Sequence, residues 1–209
     1  MKILSKRTQT AILSALFVFS LVFVLFSVRH NSHLPVNKQI QKEPASIAKE
    51  EVVPLKQEPV SFGLPMHLKI PVINVDSTVL SLGLTPDGAM DVPKGPDDVA
   101  WYKLGKRPGE NGNAVIAGHH GTWKNGKGSV FDNLNKLVKG DKLYVEDDKG
   151  MIASFVVRES RKYDPNADAQ EVFDSSDGKV HLNLITCNGV WNKATKSYPE
   201  RLVVFTDKE

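Results

Sequence analysis

One cysteine, Cys187, stands in the whole 209-residue chain. A lone thiol closes no internal disulfide and builds no thiolate metal cage, so a disulfide scaffold and a cysteine-held zinc fold are both excluded. Twenty-seven basic residues against 24 acidic ones leave a net charge of +3, with the two signs interspersed. Without a basic stripe carrying interleaved aromatics, nucleic-acid binding has no support. No internal repeat is present, and no carboxylate cluster suggests a metal site; Asp147-Asp148 reads as a solvated turn. No cofactor is implied.

Long apolar runs are also scarce, with one exception. Ala11 to Val28 is uncharged and mostly apolar, and as a helix it extends about 27 Å, close to the hydrocarbon thickness of a bilayer. Its exit, Phe26-Ser-Val-Arg-His30, lacks an Ala-x-Ala cleavage site, which favours an uncleaved signal anchor over a removed signal peptide. Lys2, Lys6 and Arg7 precede the span, so the nearest flanks place the N-terminus in the cytoplasm and the rest outside. The expected organisation is a cytoplasmic tail at 1–10, a transmembrane anchor at 11–28, an extended polar linker at 29–61 and a catalytic domain at 62–209. The linker carries Pro35, Pro44, Pro54 and Pro59, repeated Lys-Glu pairs and no aromatic residue, so it buries too little surface to fold alone.

In the remainder, short β-rich runs alternate with turn signals. The runs are Met66–Ile70, Ser77–Leu80, Asn113–Ala117, Lys142–Val145, Ile152–Val157, Val180–Ile185 and Arg201–Phe205; Pro86-Asp-Gly88, Asn111-Gly112, Lys139-Gly140-Asp141 and Lys149-Gly150 punctuate the chain. This predicts an all-β domain, a small barrel or sandwich with one or two short helices.

Three polar groups sit at strand ends. Cys187 closes the run Lys179-Val-His-Leu-Asn-Leu-Ile-Thr-Cys187, where Val180, Leu182 and Leu184 alternate onto one face and His181, Asn183, Ile185 and Cys187 onto the other. A free cysteine is often only a small buried hydrophobe, but this mixed face and the exposed compartment favour nucleophilic chemistry. Gly118-His119-His120 ends the run from Asn113; its alternative reading is a turn or core histidine, and adjacent strand histidines point apart, which disfavours a shared metal. Arg201 opens the last run after a loop from Asn188 to Glu200, and its alternative is a solvated edge arginine. Together they fit one reaction, in which a thiolate attacks a carbonyl, an imidazolium protonates the leaving amine and a guanidinium holds the developing charge. Unperturbed, about 3 % of thiols and about a quarter of imidazoles are ionised at pH 7, so the pair needs tuning by its surroundings.

The combination resembles the sortases, membrane-anchored cysteine transpeptidases of mainly Gram-positive bacteria. Asn183-Leu-Ile-Thr-Cys187 resembles the family's Thr-Leu-x-Thr-Cys signature, with Asn183 in place of the first threonine. Ala114-Val-Ile-Ala-Gly-His119 resembles the strand bearing the family's histidine, and Arg201-Leu-Val-Val its arginine strand; Leu68-Lys-Ile-Pro71, Trp101-Tyr and Arg107-Pro-Gly109 are softer echoes. Thr186-Cys-Asn-Gly189 with Tyr198-Pro-Glu-Arg201 is most similar to class F and the neighbouring class D or E branches. The resemblance implies an eight-stranded sortase-type β-barrel behind the transmembrane helix, with catalytic Cys187, His119 and Arg201 and substrate contacts from Thr186 and Asn188. Either histidine can be the acid; its place after Gly118 favours His119 over His120. It further implies cleavage of a Leu-Pro-x-Thr-Gly-like sorting signal on secreted proteins and transfer to an amine, from a peptidoglycan precursor or a pilin lysine. The alternatives are a tethered cysteine peptidase that resolves its acyl-enzyme with water, and a non-enzymatic wall-binding module.

Overall fold

The computed structural model describes residues 61–123 and 126–209. The expected tail and transmembrane span, and all of the linker but residue 61, lie outside the described residues. Among the described residues no helix is long and apolar enough to cross a membrane.

Eight strands close into a barrel: β1 (Pro65–Ile70), β2 (Val75–Leu82), β3 (Val99–Tyr102), β4 (Gly112–Gly118), β5 (Lys142–Asp147), β6 (Ile152–Tyr163), β7 (Val180–Asn188) and β8 (Glu200–Lys208). Their order around the barrel is β1-β2-β3-β4-β7-β8-β6-β5, and β5 returns to pair with β1. Two pairings, β2 with β3 and β4 with β7, are parallel; the others are antiparallel. Closure leaves no sheet edge to template aggregation. The expected all-β barrel is therefore present.

Period-2 alternation decides the interior. Leu68 and Ile70, Val75 and Val79, Val99 and Trp101, Ala114 and Ile116, Leu143 and Val145, Phe155 and Val157, Leu182 and Leu184, and Leu202 and Val204 form one buried cluster drawn from all eight strands. Phe131, Leu134 and Leu137, in and around the 3-10 turn Leu134–Lys136, join it. The alternate residues of β4, β7 and β8 point outward yet are also buried. Val115, Ala117, Ile185, Val203 and Phe205 make a second cluster with Ala169 and Val172. The cover is the β6–β7 connection, residues 164–179, which passes outside β8 and carries the one-turn helix α1 (Gln170–Phe173). Coverage on both faces explains why every residue of β4 is buried.

Asp147 departs from the solvated turn that the sequence suggested. It is only 2 % exposed, and its carboxylate accepts backbone N–H bonds from Gly63, Lys149 (2.9 Å) and Met151 (2.8 Å). Leu64 donates to Asp148 at 3.0 Å. The pair fastens the start of the domain to the β5–β6 turn, a long-range role invisible to local composition.

Candidate active site

Cys187 and Arg201 face each other directly across the antiparallel β7–β8 ladder. Such partners have Cα atoms about 4.5–5.5 Å apart and project to the same side. That side is the outward one, continuous with Ile185 on β7 and Val203 on β8. The site is thus built on the barrel wall, at the end of the second apolar cluster, and not inside the barrel. Cys187 is half-buried. Burial pushes its thiol up from the ordinary range, and the positive charge of Arg201 pulls it back. The Arg201 guanidinium is steadied by an Nη1–H bond to the Glu200 carbonyl at 3.1 Å.

The parallel β4–β7 register pairs Ala117 with Ile185. One residue further, the Thr186 hydroxyl donates to the Gly118 carbonyl at 2.8 Å. His119 follows β4 directly, as Cys187 follows Thr186 on the neighbouring β7. Gly118 is required here for space: a Cβ would sit 2.5 Å from the Phe131 ring. The His119 ring is fixed by an Nε2–H bond to the Pro93 carbonyl, 2.7 Å, and by the Trp123 ring at a centroid distance of 5.1 Å. This leaves Nδ1 as its proton-accepting nitrogen.

His120 takes other partners. It meets the Tyr198 ring edge-on at 5.6 Å and lies 3.7 Å from the Asp132 carboxylate. Tyr198, in the β7–β8 loop, donates its hydroxyl to the His120 carbonyl at 3.0 Å and packs on Trp191 at 5.1 Å. Burial, then the charges of Cys187 and Asp132, raise the Tyr198 phenol above its ordinary range. The tyrosine therefore sits within electrostatic reach of the thiol and ties the β7–β8 loop to the turn after β4.

Thr186 and Asn188 are both committed within the protein. Thr186 is 3 % exposed on the interior-facing side of β7, and its hydroxyl joins β7 to β4. Asn188 donates from Nδ2 to the Glu200 carboxylate at 2.7 Å, closing the base of the β7–β8 loop. Sequence reasoning missed Pro93 and the aromatic latch of Tyr198, although Tyr198 lay within a motif it had marked. It also missed a shallow apolar pocket beside Arg201, lined by Ala169, Val172, Phe173, Ile185 and Val203. Three of those residues come from the β6–β7 connection, whose composition alone carries no such signal.

Residues 68–209 match the family model described as the sortase domain. No curated protein sequence matches the chain. Among solved structures, the barrel is similar to sortase C-1 from Actinomyces oris at a TM-score of 0.55 and 23 % identity, over 68 % of this chain and 72 % of that one. It is similar to a lid mutant of sortase A from Corynebacterium diphtheriae (TM-score 0.54, 20 % identity, 72 % and 73 % covered). A Clostridium perfringens sortase D5 transpeptidase gives 0.51 and 21 % identity, with 70 % and 79 % covered. These identities speak for the fold; the family model speaks for the family.

Proposed function

The chain belongs to the sortase family and is a cysteine transpeptidase, and on that premise we propose that Cys187, His119 and Arg201 cleave a Leu-Pro-x-Thr-Gly-like sorting signal and transfer its acyl part to an amine. The observation that carries this reading is the direct Cys187–Arg201 pairing across β7 and β8, and His119 directly following β4, the other neighbour of β7, supports it.

The Cys187 thiolate adds to the carbonyl carbon of the signal's threonine, and Arg201 donates hydrogen bonds to the oxygen that gains negative charge. Collapse breaks the Thr–Gly C–N bond, and imidazolium His119 gives its proton to the departing glycine amine. A thioester remains on Cys187. The incoming amine attacks it, His119 takes back a proton, and the free thiolate returns. The leucine and proline of the signal, which precede the scissile bond, are assigned to the apolar surface beside Arg201 formed by Ala169, Val172, Phe173, Ile185 and Val203.

The remaining parts of the reading follow the sequence. Residues 11–28 anchor the chain in the membrane and residues 29–61 hold the domain on the extracellular side, where secreted substrates arrive. The motifs around Cys187 and Arg201 support a place near class F and the neighbouring class D or E branches. Peptidoglycan precursors and pilin lysines both supply the required primary amine.

The test incubates the protein with a Leu-Pro-x-Thr-Gly peptide, with and without a primary amine, and follows products by mass spectrometry. An amine-dependent ligation product is expected. Hydrolysed peptide alone, even with amine present, supports the water-resolving peptidase; no turnover and no labelling of Cys187 by iodoacetamide supports the non-enzymatic module.

A further inference from the structure

The β6–β7 connection provides six of the pocket residues, yet its one helix is poorly equipped to stand. α1 has four residues and no side-chain cap at its N-terminus, far short of the length at which a helix persists unaided. The last carbonyls of any helix lack partners within it. In α1 they are met from beneath by two asparagines on the strands. Asn113 of β4 donates from Nδ2 to the carbonyls of Glu171 at 2.7 Å and Asp174 at 3.1 Å. Asn183 of β7 donates from Nδ2 to the Val172 carbonyl at 2.7 Å. Asn183 shares its face of β7 with Ile185 and Cys187, so the residue that departs from the Thr-Leu-x-Thr-Cys signature is the one that reaches α1.

Both asparagines are at most 5 % exposed. The Asn183 Oδ1 is buried and has no hydrogen-bond partner among the described residues. Its ordered contribution lies in the amide N–H directed at α1. Other side chains also tie the connection down, one of them at α1 itself. Tyr163 bonds Glu171 at 2.6 Å, while His181 faces Asp177 at 3.0 Å and Asp207 at 2.7 Å. Apolar packing of Ala169, Val172 and Phe173 on the second cluster also holds the middle, where Val172 is 1 % exposed and lines the pocket; the asparagines add buried amide bonds to the α1 carbonyls from the barrel side.

We propose that Asn183 and Asn113 are positioning residues that clamp α1 onto the barrel wall, keep the apolar pocket formed before substrate arrives, and so set affinity for the signal's leucine and proline. The clamp acts on binding and leaves the chemistry at Cys187 untouched. This rests on the proposed sorting-signal activity. A protein whose binding-competent shape is populated a fraction of the time loses apparent affinity by that fraction; if releasing the clamp leaves the pocket formed about a tenth of the time, KM rises about tenfold.

The experiment compares wild type with Asn183→Leu, which keeps the branched shape and removes the donor, and with the milder Asn183→Thr and Asn113→Ser, which serve if the leucine variant does not fold. Each is assayed for kcat and KM with the Leu-Pro-x-Thr-Gly peptide, for the alkylation rate of Cys187 by iodoacetamide, and for amide hydrogen exchange over residues 169–174. Expected are a KM raised about tenfold, kcat and alkylation within about twofold of wild type, and faster exchange at 169–174. Unchanged exchange in folded variants overturns the clamp. Faster exchange with unchanged KM overturns its role in binding, and kcat and alkylation falling together at unchanged KM assigns the asparagines to general scaffolding instead. If wild type itself turns over no peptide, the sorting-signal reading fails, while the exchange measurement still decides whether the clamp exists.

Discussion

Arg201→Lys separates two ways in which the arginine acts on the thiol. Opposite Cys187 in the ladder, its charge draws the buried thiol down from where burial alone would leave it, and a lysine ammonium supplies the same sign of charge. Geometry differs. The guanidinium spends one N–H on the Glu200 carbonyl at 3.1 Å and keeps others, in a fixed plane, for a substrate oxygen. An ammonium is a hydrated point charge on a flexible stem and does not reproduce that fork. Losing one such donor to a developing oxyanion lowers rates about 10²–10³-fold, or about 2.7–4 kcal/mol of transition-state stabilisation. The acylation rate of Arg201→Lys with the sorting peptide is therefore expected to fall by that factor. Its pH profile for alkylation of Cys187 by iodoacetamide, which reads the thiolate alone, stays close to wild type. Arg201→Ala loses both contributions: acylation falls at least as far, and without the arginine charge the alkylation profile moves to higher pH, so alkylation at pH 7 slows. Near-normal acylation in the lysine variant refutes the hydrogen-bonding role. An alanine variant with an unshifted alkylation profile refutes the electrostatic one.

His119→Ala is expected to lower turnover about 10²–10⁴-fold, the usual contribution of a general acid, whereas His120→Ala, whose ring is engaged with Tyr198 and Asp132, costs much less; a larger loss at His120 in steady-state assays reverses the assignment. Asp147→Ala strands the buried Gly63 N–H and frees the part-buried donors of Lys149 and Met151, at about 1–3 kcal/mol for one unsatisfied buried group, which is roughly 2–12 °C in Tm for a domain of this size. Thermal unfolding unchanged from wild type contradicts that account.

The strands legible in the sequence were those with one buried and one solvated face, or a long apolar run. Val99–Tyr102 escaped notice because it is short and almost wholly buried, so no alternation marks it. Arg158–Tyr163 escaped because its residues are polar and charged. It is β-structure only through its ladder with β8, after a register shift between Val157 and Glu159, and its arginines stack on Phe205. The Cys187–Arg201 pairing was accessible because each residue ends an alternating run and one loop joins them. His119 could be placed at a strand end, but its Pro93 and Trp123 contacts span loops that local pattern does not connect. The asparagines were the hardest to read. In sequence Asn113 and Asn183 look like polar interruptions of buried strands, and their partners lie 58 and 11 residues away on a segment with only four helical residues.

The central claim, that Cys187 forms an acyl-enzyme with a sorting signal, is tested most directly by intact-protein mass spectrometry after brief incubation with a Leu-Pro-x-Thr-Gly peptide and acid quenching. The account predicts a mass gain equal to the acyl fragment ending at threonine, release of the glycine-containing remainder, a hydroxylamine-labile thioester mapped to Cys187, and no gain in Cys187→Ala of unchanged Tm. Turnover of the peptide by Cys187→Ala, or an adduct mapped to any other residue, contradicts it.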